Sequence, residues 1–280
     1  MFDYGKEGYE TTKQVLNAND IAWFGSEGKD HCITIENNHL AFLGFCCYST
    51  TPLKCVRYGD YGVNEYDVQF VQEKAISYSE KGFLPVLSVH SGNEHVNYPS
   101  LDGINAAHLL ADTVPLIYYG HHPHVVQGIE KKGDSLIAYS LGNFCFDDVY
   151  SSVSKSPLVP LSENNRCSCV LSVVIENSKL ISWDIVPIYL GKDKLHVGKG
   201  VTPEIIGRYT DAIRQMAPEK YETMRTALLN DYYESRRKNR GMDWYIKRLR
   251  PRYFRIILNA IKNDRNYRRC VSDHLKSVTK

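Results

Sequence analysis

The chain has 280 residues, of which 43% are hydrophobic and 24% charged, and its formal net charge is +2. This length and composition exclude a disordered chain and allow a substantial hydrophobic core, so we expect one main domain with an appendage. The sequence contains no signal peptide and no apolar run of about 20 residues, the length that spans a bilayer.

Strands and helices alternate along most of the chain. Apolar side chains recur at helical spacing in three segments, which we predict as helices: 6–18, 65–81 and 101–112. Apolar and alternating runs predict strands at 21–24, 32–35, 40–45, 83–89, 114–119, 135–140, 168–176 and 180–189. Asn37 and Asn38 separate two of these strands and predict a hairpin turn. This order of elements predicts an α/β fold.

Three histidines follow the strand predicted at 114–119. His121, His122 and His124 lie within four positions, directly after Gly120, which we expect to loosen the turn. Imidazole is the commonest protein ligand for first-row divalent ions, and Pro123 fixes its own φ and restrains the residue before it. We therefore predict a metal site here; the alternative is a histidine-rich surface loop.

Another histidine lies at the end of a second predicted strand. His90 directly follows strand 83–89. In open α/β sheets, ligands collect outside the carboxyl ends of the strands, so His90, His122 and His124 can converge if their strands are neighbours. Taken alone, His90 fits a hydrogen-bonded turn residue equally well.

Four strings form a specific combination. They start at His90, Tyr98, Gly120 and Tyr139, and they read His-Ser-Gly-Asn-Glu, Tyr-Pro-Ser, Gly-His-His-Pro-His-Val-Val-Gln-Gly-Ile-Glu and Tyr-Ser-Leu-Gly-Asn-Phe. Together they resemble the bacterial capsule synthesis family (CapA, poly-γ-glutamate synthesis), from residue 1 to about residue 190. The resemblance implies a calcineurin-like metallophosphoesterase fold, a sandwich of two mixed β-sheets flanked by helices.

The resemblance also implies roles for individual residues. His90, His122 and His124 would bind a divalent metal, of which Mn, Fe and Zn are the candidates. Glu94 and Asn143 would line the cleft as catalytic residues. His121 occupies a variable position and would lie behind a ligand or face solvent. Ser91 stands where the family usually has Trp, so an aromatic wall of the cleft is expected to be missing.

The start of the chain departs from the family pattern. Family members carry Asn-Asn-His shortly before Asp-Tyr-Gly, whereas this chain opens Met1-Phe2-Asp3-Tyr4-Gly5. We expect the first strands, a bridging carboxylate and the remaining ligands of a two-metal centre to be absent, which would leave a partial site with weak catalysis or none. Residues 37–39 spell the same Asn-Asn-His string, but they lie in the predicted hairpin, so His39 is left out of the site.

The eight cysteines are interpreted as reduced packing thiols. They lie mostly in or beside predicted strands, and no pair has the Cys-x-x-Cys spacing of a zinc ribbon. Reduced thiols indicate a reducing compartment. We expect the chain to be cytoplasmic, or peripheral at the inner membrane.

Charge separates the chain into two parts. Residues 204–280 contain 19 Lys and Arg against 9 Asp and Glu, a net charge of +10, which leaves −8 for residues 1–203. We predict a metallophosphatase-like domain over 1–200 and a basic helical appendage over 201–280, with helices starting near Pro203 and Pro218 and an apolar stripe over 245–261. The appendage could pack on the domain, lie on an anionic membrane or bind a polyanion. Nucleic acid is not expected, because no recognised binding motif accompanies the charge.

Two functions are compatible with the sequence. The first is a metal-dependent hydrolase that acts on a phosphate ester or acyl linkage in capsule or exopolysaccharide synthesis, with the anionic polymer or its precursor as partner. The second is a non-catalytic accessory protein of capsule assembly. Loss of the first strands would also expose a sheet edge, through which we expect self-association.

Overall fold

The computed structural model describes residues 5–47, 50, 55–56, 62–148, 160–201 and 203–238. Its helices are α1 (Gly5–Ala18), α2 (Val68–Glu80), α3 (Leu101–Thr113), α4 (Glu163–Arg166), α5 (Pro203–Gln215) and α6 (Pro218–Lys238). Its strands are β1 (His31–Ile35), β2 (Asn38–Cys46), β3 (Cys55–Val56), β4 (Val63–Asn64), β5 (Leu84–His90), β6 (Ile117–His121), β7 (Ile129–Lys132), β8 (Ser135–Ala138), β9 (Cys167–Glu176), β10 (Lys179–Leu190) and β11 (Leu195–Val197).

The main sheet has six strands in the order β1-β2-β5-β6-β8-β7. The four central strands are parallel, and β1 and β7 pair antiparallel at the two edges. Parallel strands all end on the same side of a sheet, here called the carboxyl edge to distinguish it from the outer strands β1 and β7. The register places Cys46, His90 and His121 side by side at the carboxyl edge.

Layers cover both faces of the main sheet. On one face, α2 and α3 contribute Val71, Ala107 and Leu110 to a core shared with the central strands. On the other face, β9 and β10 of the three-stranded sheet β11-β10-β9 pack against the central strands. The predicted α/β class, with a mixed main sheet, a second sheet and flanking helices, is confirmed, but the second sheet is not mixed as expected. The smaller sheet is antiparallel throughout its described strands.

Side-chain caps fix the starts of the two covering helices. Asp67 accepts a hydrogen bond from the backbone N–H of Phe70 at the start of α2, and Ser100 accepts one from Gly103 at the start of α3. These residues satisfy amide groups that have no partner within the helix. Both predicted helices are confirmed, with α2 starting three residues later than expected.

The strand predicted at 21–24 is wrong. These residues have no strand partner, because they lie between the end of α1 and Gly25, where the chain turns with a φ of +84°. Gly25 packs directly against the backbone of Gly44 in β2. Trp23 is held instead by Lys29, whose Nζ lies 3.8 Å from the centroid of the Trp23 ring system.

Helices α5 and α6 pack against the sheet domain. Ile206 of α5 belongs to one hydrophobic core, and Tyr221 of α6 belongs to another. Thr210 exchanges hydrogen bonds with the backbone of Ile129 at the start of β7. The described part of the predicted appendage, 203–238, therefore contributes to the body of the protein. The apolar stripe predicted at 245–261 lies outside the described residues.

The hairpin predicted at Asn37 and Asn38 is confirmed, since Ile35 pairs with Asn38 across the turn between β1 and β2. His39 lies near the amino-terminal end of β2, seven residues before Cys46. At the usual rise per residue of a strand, His39 is roughly 23 Å from the edge that carries His90. Its Nδ1 atom contacts Thr34, and its ring packs on Phe83.

Candidate metal centre

His90 and His121 meet at the ends of two neighbouring parallel strands. They are paired in the register of β5 and β6, and their Nδ1 atoms lie 2.8 Å apart. The Nε2 atom of His121 lies 3.1 Å from the hydroxyl of Ser88. His121 therefore lies beside His90 and partly faces solvent, which is one of its two expected positions, and its contact orients the His90 ring.

The loops after β5 and β6 are joined by backbone hydrogen bonds. Ser91 donates to the carbonyl of His121, and His95 donates to that of Pro123 at 2.7 Å. Two residues of the second loop have positive φ, His122 at +107° and His124 at +59°. Non-glycine residues adopt such angles at a cost of about 1–3 kcal/mol, and they concentrate at functional sites.

The histidine rings form a continuous row. Ring centroids are 4.6 Å apart for His90 and His122, 6.2 Å for His122 and His124, and 6.1 Å for His124 and His95. The three predicted ligands are thus brought together. Among the described residues, however, no three His, Cys, Asp or Glu side chains are already arranged to hold a metal ion.

Two of the predicted ligands have one ring nitrogen engaged by another side chain. The Nδ1 atom of His90 contacts His121, and that of His124 lies 2.8 Å from Oδ1 of Asn143. This arrangement leaves the Nε2 atom of each ring for a ligand. Metal-binding histidines are held in the same way, by a hydrogen bond to the nitrogen that does not face the metal.

Burial keeps two of the predicted ligands, His90 and His122, uncharged. Burial, together with the neighbouring imidazoles of His121, His122 and His124, lowers the pKa of His90 to about 4. Burial also lowers the pKa of His122, against an opposing effect of Glu94. Both rings are therefore neutral near pH 7, and neutrality is required for metal binding.

Glu94 and Asn143 occupy different environments. The Glu94 carboxylate accepts a 3.4 Å hydrogen bond from the hydroxyl of Tyr232 in α6, and it is partly exposed beside the histidine row. Asn143 is buried, and its side chain lies behind His124 instead of lining an open cleft. Asn143 orients an imidazole, which is an indirect role that the sequence string does not reveal.

Sequence reasoning missed four contributors to the site. His95 extends the row of rings, and Asn165 of α4 hydrogen-bonds to it at 2.8 Å. Tyr232 packs on His95 with 4.9 Å between ring centroids, and Phe146 lies equally close to His124. These two rings supply aromatic surface to the site although Ser91 does not. The position of His95 directly after Glu94 was a usable signal, but no local pattern marks Asn165 or Tyr232.

Arg225 attaches α6 to the loop that carries Glu94 and His95. The guanidinium is almost fully buried and donates hydrogen bonds to the backbone carbonyl of Tyr98 and to the side chain of Asn93. A buried arginine with these acceptors holds the loop in one position relative to the helix. Helix α6 is therefore a wall of the site.

No described helix is long and apolar enough to cross a membrane.

Comparisons with known proteins identify relatives of the chain. A family model described as "Bacterial capsule synthesis protein PGA_cap" matches residues 1–148. The capsule biosynthesis protein CapA of Bacillus anthracis is 29% identical over 206 residues, which cover 70% of this chain and 50% of that protein. The PGA biosynthesis protein CapA of Bacillus subtilis (strain 168) is 39% identical over 74 residues, which cover 26% of this chain and 20% of the relative. The chain thus matches half the length of the first relative and a fifth of the second.

Solved structures give weaker likenesses. A structure assigned as a 5'-nucleotidase from Staphylococcus aureus has a TM-score of 0.37 and 8% identity, over 66% of this chain and 33% of that chain. The NAD nucleotidase of Haemophilus influenzae has a TM-score of 0.34 and 16% identity, over 75% and 37%. Likenesses at this level carry no argument about function. The family model, by contrast, covers more than half of the chain, and the protein therefore belongs to the bacterial capsule synthesis protein family.

Proposed function

We propose that the protein acts in the synthesis of an anionic capsule polymer of the poly-γ-glutamate type as a metal-dependent, phosphoesterase-like enzyme. The observation that carries the proposal is the convergence of His90, His122 and His124 at the carboxyl edge of the main sheet. Imidazole rings are suited to a divalent ion, of which Mn, Fe and Zn are the candidates.

Each residue of the site would have a distinct task. His90, His122 and His124 would hold the ion, with His121 and Asn143 fixing the orientation of two of these rings. Once bound, such an ion polarises a phosphoryl oxygen and makes bound water more acidic. Glu94, at the exposed end of the histidine row, would orient the substrate. The substrate class is a phosphate ester or an acyl linkage of the polymer or its precursor.

A non-catalytic role in capsule assembly is the second candidate. It is favoured by the absence, among the described residues, of three donor groups already arranged around a common point. In that case the fold would serve to bind the polymer, and the net charge of +10 over residues 204–280 would attract it or an anionic membrane surface. Self-association through the edge of the main sheet belongs to the same proposal.

Metal analysis of the purified full chain separates the two candidates. We expect about one Mn²⁺ or Zn²⁺ per chain in the wild type, hydrolysis of an aryl phosphate when Mn²⁺ is added, and loss of both in His122→Ala. His39→Ala is the matched control, because it removes an imidazole at the opposite edge of the same sheet. Bound metal with no turnover would support the accessory role, and the absence of bound metal would overturn the metal site.

A further inference from the structure

The buried amide of Asn165 has only one possible orientation. Its Oδ1 atom accepts a hydrogen bond from the backbone N–H of Ser162, and its Nδ2 atom donates to the backbone carbonyl of His124 at 2.9 Å. A backbone N–H can only donate and a carbonyl can only accept, so exchanging the two amide atoms would break both bonds. Asn165 is 2% exposed, which prevents water from replacing them.

This orientation determines which nitrogen of His95 carries the proton. The Nδ2 atom of Asn165 also lies 2.8 Å from Nδ1 of His95. Because the amide nitrogen is a donor, Nδ1 of His95 must accept, and the proton of the neutral ring is then on Nε2. His95 therefore presents an N–H donor at the nitrogen that faces the side of Glu94, whose carboxylate lies 3.9 Å away.

The neighbouring ring of His124 is held in the opposite tautomer. The Nδ2 atom of Asn143 donates to the backbone carbonyl of Asn165, so Oδ1 of Asn143 is the atom that faces His124. Oδ1 can only accept, and Nδ1 of His124 must therefore carry the proton. His124 consequently has a lone pair on Nε2, which suits a metal ligand, whereas His95 has a hydrogen there.

Packing fixes the plane of the His95 ring as well as its tautomer. The ring lies between His124, with an interplanar angle of 26°, and Tyr232, with an angle of 33°. A donor that is fixed in both direction and protonation before a ligand arrives loses little entropy when it binds. Such a group is suited to an oxygen atom that carries negative charge.

We infer that His95 is a substrate-binding residue whose Nε2–H donates a hydrogen bond to an oxygen of a phosphate group bound beside His122 and His124. Asn165 is the positioning residue that makes His95 a donor instead of a metal ligand. The inference rests on the proposed function, because the phosphate is placed by the metal that His122 and His124 would bind.

Two variants of His95 and one probe test the inference. Inorganic phosphate is titrated calorimetrically into the full chain with and without Mn²⁺. His95→Leu removes the donor, and His95→Gln keeps an N–H at a similar distance from the backbone. We expect phosphate affinity to fall about ten- to a hundredfold in the Leu variant, as for a lost hydrogen bond to a charged group, and much less in the Gln variant. Mn²⁺ affinity should be the same in both variants as in the wild type.

Nitrogen NMR of the metal-free chain provides a test that requires no ligand, since it identifies the protonated nitrogen of each imidazole. We expect the proton on Nε2 of His95 and on Nδ1 of His124. A proton on Nδ1 of His95 overturns the inference, and so does unchanged phosphate affinity in His95→Leu. If the wild type binds no Mn²⁺, the proposed metal site fails; a lower metal-free phosphate affinity in His95→Leu than in the wild type then still supports the donor role of His95, and an equal affinity overturns it.

Discussion

The Nδ1 atoms of His90 and His121 lie 2.8 Å apart at the ends of β5 and β6. Only one proton can lie between two nitrogens at this distance, so one ring donates and the other accepts. His121 thus helps to decide which nitrogen of His90 is available to a ligand. His121, which was not predicted to be a ligand, therefore has a defined part in the site.

Replacing His121 tests whether its contact with His90 influences metal binding. We expect His121→Ala to reduce Mn²⁺ affinity by about 10- to 100-fold, the usual effect of losing a group that orients a metal ligand. Removal of His90 itself should reduce it further. Calorimetric titration of the two variants gives the comparison. Equal affinities for His121→Ala and the wild type would show that the contact has no influence on binding.

Glu130 connects three elements from within the core, where it is 4% exposed. Burial raises the pKa of this carboxyl, but hydrogen bonds from His108, Tyr139 and Arg214 outweigh burial and leave the pKa below its ordinary value of 4.5. The unfolded chain therefore takes up this proton at a higher pH than the folded chain. The resulting contribution to stability is complete above about pH 4.5 and is lost as the pH falls through the lowered pKa.

Glu130→Gln should remove that acid dependence. We expect the free energy of unfolding at pH 7 to drop by about 1–3 kcal/mol, because the hydrogen bonds to a charged acceptor are lost. The difference from the wild type should then shrink as the pH falls below 4.5. Urea unfolding at several pH values measures both effects, with the exposed Glu36→Gln as control. A constant difference across the range would contradict the assignment.

Glycine is required at position 120 because the backbone there lies very close to the backbone of Tyr139. A Cβ atom at this position would lie 2.1 Å from the carbonyl oxygen of Tyr139, in the segment that follows β8. Gly120→Ala should destabilise the protein by about 3 kcal/mol or more, since neither backbone can move away without breaking the sheet. Gly207→Ala is the control, because a Cβ there meets nothing within 4 Å and should stabilise α5 slightly. Thermal unfolding of the two variants should therefore shift in opposite directions.

Arg225 should link the stability of α6 to the site. Arg225→Met leaves the carbonyl of Tyr98 and the side chain of Asn93 without this donor, and we expect a loss of about 1–3 kcal/mol. Hydrogen exchange should rise in residues 91–98, the loop that α6 holds in place. Arg208→Met on the exposed face of α5 should change neither quantity. Unchanged exchange in the loop would show that α6 does not position it.

Much of the fold could be predicted because its signals are local. Caps at Asp67 and Ser100, the hairpin between β1 and β2 and the apolar runs before His90 and His121 each reflect a nearby physical cause. The strand at 21–24 could not be excluded from local signals, because its failure to pair depends on the contact of Gly25 with a distant glycine. Gly120 was recognised as important for the wrong reason: it does not loosen a turn, since β6 continues through it to His121.

The residues of the candidate site likewise divide into those that have a local signal in the sequence and those that depend on distant contacts. His90, His122 and His124 were recognisable from their positions after strands and from the resemblance. The residues that contact the neighbouring loop of Glu94 and His95 come from distant parts of the chain: Asn165 from α4, and Arg225 and Tyr232 from α6. The packing of α6 could not be predicted from the basic composition of the region, because it depends on two buried side chains, Tyr221 and Arg225.

The central claim is that His90, His122 and His124, which follow two different strands, bind one cation together. Anomalous diffraction from crystals of the full chain grown with Zn²⁺ tests it most directly. We predict one anomalous peak at about 2.1 Å from a ring nitrogen of each of the three histidines, the usual Zn–N distance. A structure with no peak among these rings, or with a peak whose ligands do not include His90, would contradict the claim.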